Sequence, residues 1–443
     1  MRGGLFIMDW KTEYQSKLRT PEQAIAEFVR PGDGVFGGGA SVACTTLNAL
    51  FAAIERGELD GITLHIHSFC NPGLKLDDYN FTREQLILPT FFMNGPDRAL
   101  LQKGKCSFMP LQYGMYERYM AKMAPRVSIV LMSPPDENGY CNIGPNGYTP
   151  AGLDASDCII AQISSHVPRV NGTCHEYHVS QIACFVEADD ELAVITNPSA
   201  SPVEEKIAEH ILNYIPDGAC IQLGIGGIAN AVGFGLKSKR HLGVHTEVLT
   251  ESIVDLIEAG VIDNSRKSYK PGQSVIGFVF GTERQYKFID SNRDLLFDRF
   301  GELVNIANIA ANDNMISINA AVSVDLTGQV CAESIGRRQY SGTGGQLDFV
   351  RGASLSKGGA SFIAIPSTVK TKEGIKSRIV LDLDQGSIVT TPRTDVQHIV
   401  TEYGVATLQF CDVPERVRRL ISIAHPDYRD ELTFSAKKAG LIF

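Results

Sequence analysis

PEQAIAEFVRPGDGVFGGGASVACTTLNAL, residues 21–50, and SPVEEKIAEHILNYIPDGACIQLGIGGIANAVGFGL, residues 201–236, run through the same order of features. Each opens with a helical stretch containing Ile-Ala-Glu, at residues 25–27 and again at 207–209. Each then passes a Pro/Gly/Asp turn, enters a short apolar strand and leaves it through a glycine-rich turn that starts another helix. A strand that feeds a helix through such a turn is the building unit of an open α/β sheet. Its repetition predicts two similar open-sheet α/β domains, residues 1–200 and 201–443.

The rest of the chain agrees with that reading. Apolar strand-like runs such as VSIVLM (127–132), DCIIAQI (157–163) and LAVIT (192–196) alternate with turns in the first half. SVIGFVFG, MISINAAVSVDL and SFIAIPS do so in the second, among helical stretches such as ERVRRLISIA. This alternation favours parallel or mixed sheets covered by helices. NPSASP, residues 197–202, has the most linker-like composition and sets the boundary.

Composition narrows the function. Apolar residues make up 44% of the 443-residue chain and charged residues 21%, the pattern of an ordinary globular protein. A formal charge of -9 argues against nucleic acid as a partner, because phosphate-backbone binders carry a basic surplus. Ten cysteines, from Cys44 to Cys411, show no C-x-x-C pair, so neither a disulfide framework nor a zinc ribbon is expected. No stretch has the length of a signal h-region or a membrane span, and the expected location is cytoplasmic.

GIGGIANAV, from Gly224, follows the strand ACIQL and precedes a helix, so its backbone N–H groups can face an anion. It also satisfies G-x-G-x-x-A. With Glu247 downstream to hold a ribose hydroxyl, a dinucleotide site stays open, as does a plain tight turn. HTEVLTESIVDLIEAG, residues 245–260, gives Glu247 further readings. It, or Glu251, could favour the positive end of the following helix. It could instead be a nucleophile, since a carboxylate ionised at neutral pH needs no companion base.

A third glycine cluster, YSGTGGQLDFVRGASLSKGG at residues 340–359, supplies N–H groups able to hold a developing oxyanion. GGGAS, from Gly37, reads as a structural remnant of the duplication. His65/His67 and His175/His178 lack a convincing third ligand, so no metal site is expected. Cys174 and His175 are sequence neighbours, which seldom form a nucleophile–base pair.

Taken together, SINAAVSVDLTGQVCAESIG, YSGTGGQLDFVRGA, GIGGIANAV, the HTE tripeptide, FGTERQYKFID, SPPDENGYCNIG and TPRTDVQHIVTEYGVA resemble the acetyl-CoA hydrolase and 4-hydroxybutyrate coenzyme A transferase family, the family I CoA transferases. The likeness runs from about residue 20 to about residue 430. It implies two domains of the CoA-transferase type with the active site between them. It further implies that Glu247 attacks an acyl-CoA thioester and passes through a covalent glutamyl-CoA thioester. Gly224, Ile225, Gly226, Gly227 and Ile228 would line the CoA site, with Asn319 and the turn from Gly342 to Gly345 near its reactive end. CoA and acyl-CoA would be substrates rather than bound cofactors, a small carboxylic acid the second substrate, and the assembly a homodimer or homotetramer.

Several positions depart from the family pattern. Ala229 stands where proline is common, Val248 replaces methionine, and Thr250, Glu251 and Ser252 replace Ser-Asp-Gly. Ser323 sits where glutamate is expected, and Thr407, Gln409 and Phe410 interrupt Ala-Asp-Leu-Arg-Gly. The nucleophile survives while the acceptor pocket is open: acetate, butyrate, 4-hydroxybutyrate, succinate or an itaconate-like acid, with an itaconate CoA-transferase as the first subgroup to test. An acyl-CoA hydrolase is the alternative within enzymes. An NAD-dependent oxidoreductase and a non-catalytic CoA sensor are the readings from other classes.

Overall fold

The computed structural model describes residues 9–39, 41–67, 69–194 and 199–443. Two compact units emerge. The first comprises Met1–Met109, Met115–Val194 and Gly277–Phe300, the second Pro110–Gly114, Ile195–Ile276 and Gly301–Phe443. The NPSASP boundary stretch includes residues 197 and 198, which lie outside the described residues.

In the first unit, Thr20 caps the helix Pro21–Phe28: its hydroxyl accepts from the Gln23 N–H while the Gln23 side chain returns to the Thr20 N–H. Proline at the first helical position costs nothing there, because that N–H has no intrahelical partner. The chain turns at Gly32 and enters the strand Gly34–Phe36, and the helix Cys44–Glu55 follows beyond the glycine turn. Six strands form a wholly parallel sheet in the order Cys184–Glu187, Cys158–Ile163, Val127–Met132, Gly34–Phe36, Ile62–His65, Leu86–Ile87. All of Val127–Met132 is buried, as expected of a strand covered on both faces.

The second unit repeats this opening. Ser201 caps Pro202–Leu212 through a box with Glu204, Gly218 makes the turn, and the strand Cys220–Leu223 runs into the helix Gly227–Gly235. Six strands of its sheet lie wholly within the unit, in the order Gly243–Val248, Cys220–Leu223, Met315–Ala320, Ala360–Ala364, His398–Thr401, Gly404–Thr407. All pairings are parallel except the last. Beneath the last strands, Val350, Ile363, Ile399, Val417 and Leu420 build a core with essentially no exposed surface. Each such aliphatic side chain contributes about 1.5–3 kcal/mol on burial. The expected pair of open-sheet α/β domains is therefore present.

Winding matters for function. In the second unit the chain leaves Cys220–Leu223 for Gly243–Val248 on one side, and later returns to Met315–Ala320 on the other. The strand order reverses between Cys220–Leu223 and Met315–Ala320, and ligands of open α/β sheets bind at the carboxyl ends of such a pair. The first unit is wound the same way around Gly34–Phe36. There Gly39 approaches the buried Asn146 so closely that a Cβ would lie 2.3 Å from its Oδ1.

Candidate active site

At the reversal point of the second unit lies a cavity of about 230 Å³ lined by Gly224, Ile225, Gly226, Gly227, Ile228 and Asn319. All five loop residues expected at a CoA site thus meet Asn319 in one place. Gly226 adopts φ +123°, a conformation that L side chains rarely take, and no side chain caps the helix Gly227–Gly235 that follows it. The first residues of that helix, Gly227 and Ile228, line the cavity together with Glu204. Ala229 falls in this first turn, where proline and alanine are both accommodated.

Asn319 is held in orientation by Ser317 on its own strand and Gln222 on the adjoining one. Its Nδ2 donates to Ser317 Oγ at 2.9 Å and to Gln222 Oε1 at 3.3 Å. Gln222, buried to 1% exposure, also accepts from Ser317 Oγ at 2.8 Å and from the Ile318 N–H at 3.1 Å. Sequence reasoning missed Gln222 and Ser317. Only the alternation of polar residues within CIQL and ISIN hinted that a buried network joins the two strands.

Glu247 lies near the carboxyl end of the strand Gly243–Val248, one strand from the cavity loop. The Thr246 hydroxyl donates to the Leu223 carbonyl at 3.2 Å and ties the two strand ends together. The following helix starts at Glu251 with Thr250 as its cap, Thr250 Oγ1 accepting from the Ile253 N–H. Capping duty therefore falls to Thr250 and dipole duty to Glu251, and Glu247 has neither.

Instead, Glu247 meets the third glycine cluster. The Gly345 backbone lies against its carboxyl group and favours the ionised form. A Cβ on Gly345 would lie 2.7 Å from Glu247 Oε1, 2.8 Å from Cδ and 3.0 Å from Oε2. Such an approach is open only to glycine. Gly342 sits earlier in the same turn, between Ser341 and Thr343.

The turn is gripped from two sides. Buried Glu333 accepts from Thr343 Oγ1, Thr390 Oγ1 and Gln339 Nε2, and its carbonyl accepts from the Tyr340 and Ser341 N–H groups. On the other side the segment Pro110–Gly114 runs along it: Gln112 forms a parallel bridge with Gly344, and the Tyr113 N–H donates to the Gly344 carbonyl at 3.1 Å.

Electrostatics alter one expectation. Part of Glu247 stays accessible, yet burial of its carboxyl end pushes the pKa up to about 8, with the Asp348 charge adding to the rise and the Gly345 N–H opposing it. Burial thus works against the ionised carboxylate expected from its type alone. Asp348 is itself pushed up to about 6 by burial, against the pull of Gln112, Gly114 and Arg351. Burial that raises the pKa also leaves the ionised form poorly solvated and reactive once it is made.

The remaining candidates lie elsewhere. His65 Nδ1 bonds to Tyr119 Oη at 2.6 Å, and His67 packs among Phe91, Phe92, Tyr148 and Phe278. His175 Nδ1 bonds to the Thr173 carbonyl at 2.7 Å, whereas Cys174 is exposed. Among the described residues no group of His, Cys, Asp and Glu could hold a metal ion, and no helix is long and apolar enough to cross a membrane.

The family model for the acetyl-CoA hydrolase/transferase N-terminal domain matches residues 6–197, and that for the corresponding C-terminal domain matches residues 281–436. A succinyl-CoA:cyclohexane-1-carboxylate CoA transferase from Geobacter metallireducens is 38% identical over 98% of both chains. A 4-hydroxybutyrate coenzyme A transferase from Clostridium kluyveri is 38% identical over 97% of this chain and all of its own. The crystal structure of RipA from Yersinia pestis superposes with a TM-score of 0.90 at 34% identity, covering 98% of this chain and 100% of that one. With both domain models matched in order and relatives aligned over nearly the full length, the chain belongs to the family I acetyl-CoA hydrolase/CoA-transferase family, as a CoA-transferase acting on an acyl-CoA and a carboxylic acid.

Proposed function

We propose that Glu247 is the covalent nucleophile of this CoA-transferase and that the acceptor is a small carboxylic acid of the acetate, butyrate, 4-hydroxybutyrate, succinate or itaconate class. The observation that supports the nucleophile most directly is the close approach of its carboxyl group to the Gly345 backbone, on the strand next to the one that runs into the Gly224–Ile228 loop.

In the first step a Glu247 oxygen bonds to the thioester carbonyl carbon, the C–S bond breaks, and CoA leaves as the thiolate from a mixed anhydride. The thiolate then attacks the Glu247 carbonyl carbon, releases the donor carboxylate and leaves a glutamyl-CoA thioester. An acceptor carboxylate repeats the first step on that thioester. The freed thiolate attacks the acceptor's acyl carbon, which gives the new acyl-CoA and restores Glu247. No water is consumed, and every intermediate is an activated acyl group, so transfer stays close to energy-neutral. When sulfur adds to the Glu247 carbon, an oxyanion forms on the side chain that Gly345 already contacts. A preplaced N–H donor there is worth about 3–4 kcal/mol.

Hydrolysis is the alternative, with water taking the place of the acceptor acid on the glutamyl thioester. Comparing acyl-CoA loss with and without a carboxylate acceptor separates the two. The nucleophile is tested by incubating enzyme with acyl-CoA and trapping with borohydride or hydroxylamine. The mass shift should fall on the peptide bearing Glu247, and double-reciprocal plots should be parallel, as for a ping-pong enzyme. Full turnover by Glu247→Ala would end the proposal.

A further inference from the structure

We propose that Asp348 is a positioning residue for the nucleophile, clamping the segment Pro110–Gly114 onto the Gly344–Gly345 turn and setting a second negative charge beside Glu247. This rests on the reading of Glu247 given above.

Asp348 occupies the third position of the helix Gln346–Leu355, whose cap is Gly345. An acid in a first helical turn ordinarily faces solvent and favours the dipole. Asp348 does not, since it is 2% exposed and spends both oxygens on another segment. Oδ1 accepts from Gln112 Nε2 at 2.5 Å, and Oδ2 accepts from the Gly114 N–H at 3.2 Å. Gly114 is the complement of this grip, because a Cβ there would sit 2.7 Å from Oδ1.

Between those two anchors, Gln112 and Tyr113 pair with Gly344. The clamp therefore closes a ring: Asp348 holds Gln112 and Gly114, Gln112 and Tyr113 hold Gly344, and the next residue, Gly345, lies against the Glu247 carboxyl. Burying a carboxylate is costly unless it is bonded, and this one is bonded only to groups that shape the nucleophile's donor.

The charged surroundings are few. Arg351, one turn along the same helix, is engaged by Asp395 at 2.9 Å and 3.3 Å. Pro110–Gly114 carries no acid or base apart from Tyr113. On the Glu247 strand, His245 donates from Nε2 to the Leu303 carbonyl and accepts at Nδ1 from Asn312. Among the described residues, the Asp348 charge adds to burial in raising the pKa of the Glu247 carboxyl.

Two variants separate clamp from charge. In Asp348→Asn the Gln112 amide can flip, so that both hydrogen bonds persist while the charge is gone. Glu247 must lose its proton to attack. Removing a neighbouring negative charge should therefore move the acid limb of kcat/KM for acyl-CoA down by about one pH unit, with plateau kcat falling less than about tenfold. In Asp348→Ala the clamp is lost as well, and plateau kcat should fall more than about tenfold with KM for acyl-CoA little changed.

An acid limb in Asp348→Asn within about 0.3 units of wild type, or wild-type turnover in Asp348→Ala, overturns the proposal. Should the alanine variant not fold, the asparagine variant still decides through its pH profile. Trapping of the acylated Glu247 peptide in wild-type enzyme is scored in parallel. A labelled Glu247 with an unmoved limb rejects the role of Asp348 alone, whereas an unlabelled Glu247 rejects the nucleophile itself.

Discussion

The Gly345→Ala substitution probes the site at its tightest point. Gly345 has φ -96° and ψ 8°, which alanine also adopts, so the backbone carries no new strain. The whole effect must then come from the methyl group, which would press on three carboxyl atoms of Glu247 at 2.7, 2.8 and 3.0 Å. Ordinary contact would require those atoms to retreat by roughly 0.7 Å, and the N–H donor would lose its aim. Misplacing a reacting group by about 1 Å costs on the order of 10²-fold, and losing one oxyanion donor costs about 10²–10³-fold.

We therefore expect kcat to fall by about 10²–10³-fold while KM for acyl-CoA changes only a few-fold, since the Gly224–Ile228 loop is untouched. Stability should drop by about 1–3 kcal/mol from overpacking. A double-mutant cycle measured by denaturant unfolding then localises the cause, because in a Glu247→Ala background the three atoms nearest the methyl group are gone and its cost should shrink. Turnover within about threefold of wild type would refute the reasoning, as would an equal stability cost in both backgrounds.

Three further outcomes follow from other parts of the chain. Glu247 keeps its proton in the substrate-free fold up to about 8, against 4.5 for an unperturbed glutamate. The stability this confers is full below the unfolded value and is lost as pH rises through the folded one. Glu247→Gln should therefore match wild type near pH 5 and exceed it by on the order of 2–4 kcal/mol near pH 9; equal midpoints at both pH values would contradict the buried carboxyl. Phe410, at φ +60° and 97% exposed, replaces the glycine expected in its motif. Phe410→Gly should raise stability by up to about 1 kcal/mol, and a comparable loss would mean that the ring has contacts elsewhere. Gln222→Leu leaves the Ser317 hydroxyl, the Ile318 N–H and the Asn319 amide without their shared acceptor. It should cost about 1–3 kcal/mol in chemical denaturation and raise KM for acyl-CoA, whereas an unchanged KM would show that Asn319 needs no such support.

The parts legible in the chain were those with short-range causes. Thr20-Pro21 and Ser201-Pro202, each followed by Gln23 or Glu204, announce two capped helices through contacts only three residues apart. The glycine turns after Gly34–Phe36 and Cys220–Leu223 follow from local backbone needs in the same way, and together these features give the duplicated sheet. Glu247 was legible as a candidate because its proposed role needs only a strand end and an ionisable side chain. The upward push on its pKa was not, since burial and the Asp348 charge come from the folded surroundings.

Asp348 shows most clearly where local reading stops. In QLDF it looks like an ordinary first-turn acid, and its partner Gln112 is 236 residues away in sequence. No periodicity or spacing joins them. What joins them is the close approach at Gly344, where two stretches of backbone meet, and at Gly114, where the backbone meets the Asp348 carboxylate. Glycine at both places was visible from the start, yet glycine reports only that something comes near, and the fold alone says what. The proposed nucleophile, set at a strand end by local sequence, would thus be tuned by a clamp assembled over long range. Substitutions in Pro110–Gly114, far from any motif that marks the active site, should accordingly alter the chemistry at Glu247 before they alter the affinity for CoA.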